Sequence, residues 1–232
     1  MKKLTFIIGP TGSGKNYLYN NLKNYNYLNV PSITNRKKRD GEIEGEDYIF
    51  ISELEFNELK DTNQLCEYIK FGLNQYGVSK NILKNYIEYK KENLVLIVEP
   101  KGLIQMLIWI QNELNFCKNF INEIELIYLD IPRIERFRNI LFEESDKNNF
   151  DINELNITNK IGLEIIEKVL DRLVRNGDSI QDCFIKLYDD IFDLFNKINE
   201  DIKCTYYKVE NKQQLNLLIN KFISTSKLRR YN

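Results

Sequence analysis

The chain has 232 residues, 43% of them hydrophobic and 29% charged, with a net charge of −1; this is enough for one sizeable core and a small lid, and it argues against a broad polyanion-binding surface. There are no histidines, which removes imidazole bases and most zinc sites. Cys66, Cys117, Cys183 and Cys204 lie far apart without a C-x-x-C pair, so they are expected to be reduced, largely buried small hydrophobes in a cytoplasmic protein.

Residues 4–8 (Leu-Thr-Phe-Ile-Ile) read as a buried strand. The run is too short for a signal peptide, and no run reaches the length of a membrane span. Gly9-Pro10-Thr11-Gly12-Ser13-Gly14-Lys15 comes next, and a helical segment opens at Asn16. Strand, glycine-rich loop and helix in that order make a phosphate cradle. The glycines let successive N–H groups point inward, the helix N-terminus adds partial positive charge, and Lys15 supplies a full charge. The pattern G-x-x-x-x-G-K is complete, but Asn16 stands where a magnesium-binding Ser or Thr is usual.

Residues 27–30 read as a second short strand ending at Pro31. Residues 31–47 form a long polar excursion, closed by a strand-like run at 48–51. Ser52, with Glu53 and Glu55 behind it, marks a helix start, and that helix is expected to end near Asn63. Residues 66–71 alternate as a strand should, and 73–76 look like the return arm. Ser79 is placed to cap a helix over 80–91. Residues 93–99 (Asn-Leu-Val-Leu-Ile-Val-Glu) are continuous and apolar like a central strand, with a helix over 102–114 and another buried strand over 125–130. Beyond Pro132 the pattern predicts a helix over 133–143, a loop over 144–158, and helices over 159–175 and 179–200 broken at Asn176-Gly177. A last strand over 205–209, a last helix over 213–223 and a frayed tail complete the chain. Apolar runs alternating with helices predict a parallel α/β sheet with helices on both faces.

Two further blocks carry chemistry. Arg36 and Arg39 flank Lys37 and Lys38, with Tyr48 and several acids nearby; arginine suits a two-point grip on phosphate. With the loop, these blocks resemble the guanylate kinases. Gly-Pro-Thr-Gly-Ser-Gly-Lys at 9–15 is similar to that family's G-P-S-G-x-G-K. Residues 32–51, from Ser32 through Arg36, Arg39, Gly41-Glu42, Gly45 and Asp47-Tyr48 to Ile51, match its S-x-x-T-R-x-x-R-x-G-E-x-x-G-x-D-Y-x-F-V without a gap, and Glu67 and Asn74-Gln75-Tyr76-Gly77 continue it.

The resemblance implies a P-loop core (1–31, 79–132 and 201–224), a small mixed-β monophosphate-binding insertion (32–78), and a helical lid with an extended helical region (133–200). It implies ATP and GMP or dGMP as substrates, Mg²⁺ as cofactor, and transfer of the γ-phosphoryl group of ATP to give GDP or dGDP. Gly9, Pro10, Thr11, Gly12, Ser13, Gly14, Lys15 and Asn16 match the ATP-binding positions. Arg36, Arg39, Tyr48 and Tyr76 match residues that hold the acceptor phosphate. Glu67 and Ser32 match those that read guanine, the carboxylate accepting from N1–H and the exocyclic amine. Glu99 is assigned to the acceptor or, with Asn16, to Mg²⁺. Lys15, Arg172 and the lid arginines Arg136 and Arg138 are expected to stabilise developing charge. A nucleic-acid polymer or a membrane is not expected as partner, and the chain is expected as a monomer or homodimer.

The chain departs from the family in places. Val78 replaces a base-touching Ser or Thr, Ile97 replaces one of two strand-end acids, and Ile140 and Glu144 stand where the lid arginines belong. These departures keep two alternatives open: a non-catalytic binding module, or a kinase for another (deoxy)nucleotide.

Overall fold

The computed structural model describes residues 2–148, 161, 164–170 and 182–228. Its main sheet has five parallel strands in the order β2-β7-β1-β8-β9: β1 (Lys2–Ile8), β2 (Tyr27–Asn29), β7 (Asn93–Ile97), β8 (Ile121–Leu129) and β9 (Lys203–Val209). A second sheet is mixed, in the order β4-β3-β6-β5, from β3 (Ser32–Thr34), β4 (Tyr48–Phe50), β5 (Leu65–Phe71) and β6 (Asn74–Ser79). Only its β3–β4 pair is parallel.

Helices cover both faces of the main sheet, and strand alternation assigns the sides. Leu4, Phe6 and Ile8 of β1 pack with α3 (Lys80–Tyr89) and α4 (Pro100–Asn112), through Leu83, Ile87, Leu103 and Leu107. Ile7 packs on the other face with Leu18 and Leu22 of α1 (Lys15–Lys23) and with Leu215 and Phe222 of the last helix. α2 (Glu53–Asp61) closes the small sheet, and its Phe56 packs with Ile33 and Leu65. Ser52 caps α2 with a reciprocal box to Glu55, as its sequence predicts. Ser79 makes no side-chain cap bond; it is the last residue of β6.

Several boundaries differ from the expectation. Ser32-Ile33-Thr34 is a strand rather than part of the polar excursion, because it zips between β4 and β6. Pro100 opens α4 at its first position, two residues early, where a missing N–H costs nothing. β8 begins at Ile121 because its acids are matched across the sheet. Lys3 Nζ lies 2.9 Å from Glu123 and 2.7 Å from Glu125, Thr5 donates to Glu125, and Lys203 and Thr205 donate to Glu123. Finally, α6 (Arg133–Lys147) runs through the start of the expected loop, with Lys147 pairing back to Glu143 and Glu144. The rest of that loop and the Asn176-Gly177 break lie outside the described residues.

A four-residue helix, α5 (Leu114–Cys117), leads into β8. Residues 164–170 are helical, and Ile165 and Val169 pack against Ile140 and Leu141 of α6. Residues 182–186 and α7 (Tyr188–Asn199) press Phe184, Ile191, Phe195 and Ile198 into the main core. α8 (Lys212–Leu228) ends the described chain, so its helix continues past the expected tail boundary. All four cysteines are free thiols, Cys66 and Cys117 buried. Among the described residues no helix is long and apolar enough to cross a membrane.

Removing one partner from a buried charge cluster strands the other. Lys3→Met leaves Glu125, whose side chain is fully buried, without its cation, and the expected loss is about 3–5 kcal/mol of unfolding free energy in urea denaturation at pH 7. A loss below about 1 kcal/mol would show that the cluster is not held as drawn.

Candidate active site

Three parallel strands bring their carboxyl ends to one edge, where open α/β sheets place their ligands. Ile7 pairs with Ile97, and Ile8 with Tyr128. The glycine loop after β1, Glu99 after β7 and Asp130 after β8 therefore share that edge.

Within the loop, Gly12 and Gly14 have φ of 78° and 92°, left-handed values that favour glycine. Gly14 is the N-cap of α1 and supplies no side chain there, so the helix's first N–H groups are left to the loop. Lys15 folds back, its Nζ 2.6 Å from the Gly9 carbonyl and 3.0 Å from that of Pro10. The Ser13 hydroxyl is buried in the loop with no hydrogen-bond partner among the described residues. Asn16 is exposed in the first turn of α1. Its amide oxygen and the Glu99 carboxylate are the hard oxygen donors that Mg²⁺ accepts, and such sites draw only one or two ligands from protein.

The small sheet gathers a second cluster of basic and phenolic side chains. The Arg36 guanidinium lies 5.0 Å over the Tyr48 ring and 5.5 Å over Phe50, and Tyr48 meets Tyr76 edge-on at 6.0 Å. Glu42 takes Arg36 in a two-point pair at 2.7 and 2.9 Å and also accepts from the Arg39 amide. The pair with Arg36 holds the Glu42 carboxyl below its ordinary range, and burial pushes the Tyr48 phenol up. Arg39 is exposed at the rim, and Ser32 lies half-buried at the start of β3.

Glu67 joins the two groups. It lies on β5, only 5% exposed. Its Oε2 is so close to Gly102 of α4 that a Cβ there would fall 2.7 Å away. Burial, then the charge of Glu99, raises the Glu67 carboxyl to about 8. Burial also raises Glu99, against the opposing pull of Lys15 and Lys101. Glu99 is the N-cap of α4 but its side chain makes no cap bond.

The side formed by α6 is built differently. Ile140 packs directly on the loop, its side chain 2.8 Å from where a Gly12 Cβ would be, and Asn139 donates to the Gly12 carbonyl at 2.8 Å. Arg136, one turn before Ile140 on the same face, is 0% exposed and gives its Nε to the Ile131 carbonyl. Arg138 is exposed, two residues and so about 200° around the helix from Arg136. Glu144 is buried and pairs with Lys147. Arg172 lies outside the described residues.

Sequence reasoning did not single out Glu42 as a partner of Arg36, Asn139 as a contact of the loop, or Gly102 and Gln105 on α4. Of these only Glu42 left a signal, its three-residue spacing from Arg39.

The sheet order and the glycine loop at its carboxyl edge define a P-loop α/β protein. A family model for guanylate kinase matches residues 1–122, and the chain belongs to that family. The match takes in the loop, the small sheet, Glu67, Glu99 and α4, and stops before α6. The chain is 38% identical over 107 residues to a guanylate kinase of Mycoplasmoides gallisepticum, covering 45% of this chain and 54% of that relative. It thus spans about half the length of that relative. With a guanylate kinase of Mycoplasma mobile it shares 27% identity over 189 residues, 77% of this chain and 91% of the relative. A solved guanylate kinase from Anaplasma phagocytophilum aligns at 20% identity over 79% of this chain and 93% of its own, with a TM-score of 0.40.

The raised Glu67 carboxyl makes a stability test. An acid whose folded value lies above its unfolded one destabilises the fold progressively as pH rises from the ordinary glutamate range to the folded value, and by a constant amount above it. Glu67→Gln removes that term. Variant and wild type should melt alike near pH 4, the variant should gain steadily toward about 8, and the gap should then level off. A gap independent of pH would contradict the burial of an ionisable Glu67.

Proposed function

We propose that the protein is an ATP:guanylate phosphotransferase, moving the γ-phosphoryl group of ATP to GMP or dGMP. The observation that carries this reading is that Lys15 and Glu99 at the carboxyl edge of the main sheet adjoin the buried Glu67 carboxyl, which the small sheet presses against α4. Guanine offers N1–H and an exocyclic amine side by side, and an ionised Glu67 accepts both.

In this reading the loop amides and Lys15 hold the ATP phosphates, Lys15 exchanging its own loop carbonyls for phosphate oxygens. Arg36, Arg39, Tyr48 and Tyr76 hold the acceptor phosphate, and Ser32 faces the guanine carbonyl. Tyr48 and Phe50 keep the Arg36 plane flat beneath the dianion. Asn16 and Glu99 would hold Mg²⁺, which neutralises charge on the β- and γ-oxygens when bound. The acceptor is already a phosphate dianion, so no strong base is needed; alignment and charge stabilisation carry the rate. Arg172 would supply the lid charge with one of the α6 arginines; Arg136 is buried against the Ile131 carbonyl and Arg138 lies about 200° around the helix from it, so the two do not act together. We assign the core to 1–31, 79–132 and 201–224 and the acceptor insertion to 32–78. Within 133–200 the closing part begins with α6, whereas 182–199 stay with the core that their side chains fill.

A second reading is a binding module without turnover. It is favoured by one observation: Ile140 and Glu144 replace the lid arginines, and Ile140 is packed tightly on Gly12. Val78, fully buried and unable to hydrogen-bond, favours a different acceptor.

A coupled ADP-release assay with ATP, Mg²⁺ and each NMP and dNMP separates the three. ADP released with GMP or dGMP alone, and lost by at least about 100-fold in Lys15→Ala, is the expected result for a missing transition-state cation. Turnover with another acceptor contradicts the guanine assignment, and turnover with none leaves the binding module.

A further inference from the structure

Gly102 is a glycine inside a helix, at a backbone conformation any residue adopts, since it is not among the glycines with positive φ. A helix-interior glycine costs stability relative to alanine, so its presence calls for a reason of space. The three atoms nearest to a Cβ built there all belong to Glu67: Oε2 at 2.7 Å, Cδ at 3.3 Å and Cγ at 3.8 Å. One turn on, Gln105 accepts from the Tyr68 amide and donates to the Tyr68 carbonyl, both at 3.1 Å. Gly102 and Gln105 are three apart and share a face of α4. One opens the space for the Glu67 carboxylate, and the other clamps the backbone of Tyr68, the residue after Glu67. From the opposite side Gly77 of β6 lets the sheet close on Glu67, for a Cβ there would stand 2.8 Å from the Glu67 carbonyl.

We infer that Gly102 and Gln105 are positioning residues that set where the Glu67 carboxylate meets the acceptor base. Base selection then belongs to the core helix behind Glu99 as much as to the inserted sheet. The inference rests on the proposed guanylate acceptor. α4 also fixes Glu99 at its N-cap, so one rigid helix sets the distance between the acid at the base and the acid beside Lys15.

The test is a double-mutant cycle on acceptor affinity, by calorimetric titration of GMP and of inosine monophosphate, which lacks the exocyclic amine. Gly102→Ala should fold, because the flexible carboxylate can swing aside, and should weaken GMP by about tenfold or more, the scale of one hydrogen bond to a charged group. Inosine monophosphate should weaken less, narrowing the preference. Gln105→Ala should weaken GMP in the same direction, by a few fold. In turnover both should raise KM for GMP and leave kcat in place. In a Glu67→Ala background neither change should alter GMP affinity further. An equal loss with and without Glu67, or no loss in either single variant, overturns the inference while the acceptor assignment stands. Wild-type protein that binds no GMP overturns the acceptor assignment, and this inference with it.

Discussion

A carboxylate without a hydrogen-bond partner is costly to bury, and among the described residues Glu67 is such a group. Its side chain is almost sealed between β5 and α4, and burial lifts it to about 8. Several neighbours have the form that this requirement imposes. Gly102 leaves the space, Gly77 lets the strand approach, Gln105 pins the next residue, and Glu99 stands near enough to add its charge. A carboxyl held this way is poised to release its proton to solvent when a partner offering two N–H groups at once arrives to stabilise the carboxylate, which is what the proposed acceptor base presents.

The basic groups of the candidate site show a complementary economy. Two of the cations rest on internal acceptors: Lys15 on the Gly9 and Pro10 carbonyls, Arg36 on Glu42. Arg36 is further fixed by two aromatic rings, so an arriving anion meets a preset plane rather than a free side chain. On the side formed by α6 that preparation is weaker. Ile140 and Asn139 touch the glycine loop, but the nearest described arginine on that face, Arg136, is fully buried and turned to the Ile131 carbonyl.

The sequence was most readable where one local rule decided the outcome. The glycine loop, the Ser52 cap and the continuous apolar run of β7 behave as their residues demand. It was less readable where partners come from afar. Glu123 disguised the start of β8, since its match to Lys3, Lys203 and Thr205 exists only once three strands are side by side. Ser32–Thr34 has no strand signal beyond two β-branched residues, and its neighbours β4 and β6 make it a strand. Within the candidate site, the charged and aromatic residues announced themselves through spacing and family resemblance. Gly102 and Gln105 did not, because a missing methyl and an exposed amide acquire meaning only from what lies opposite.

The most direct measurement of the central claim is proton release on GMP binding. Calorimetric titrations at pH 7 in two buffers of different ionisation enthalpy count the protons exchanged. If a protonated Glu67 becomes the carboxylate that reads guanine, wild-type protein should release about one proton per GMP bound, and Glu67→Gln should release none while binding more weakly. GMP binding to the wild type without proton release, or equal release by the Gln variant, would contradict it.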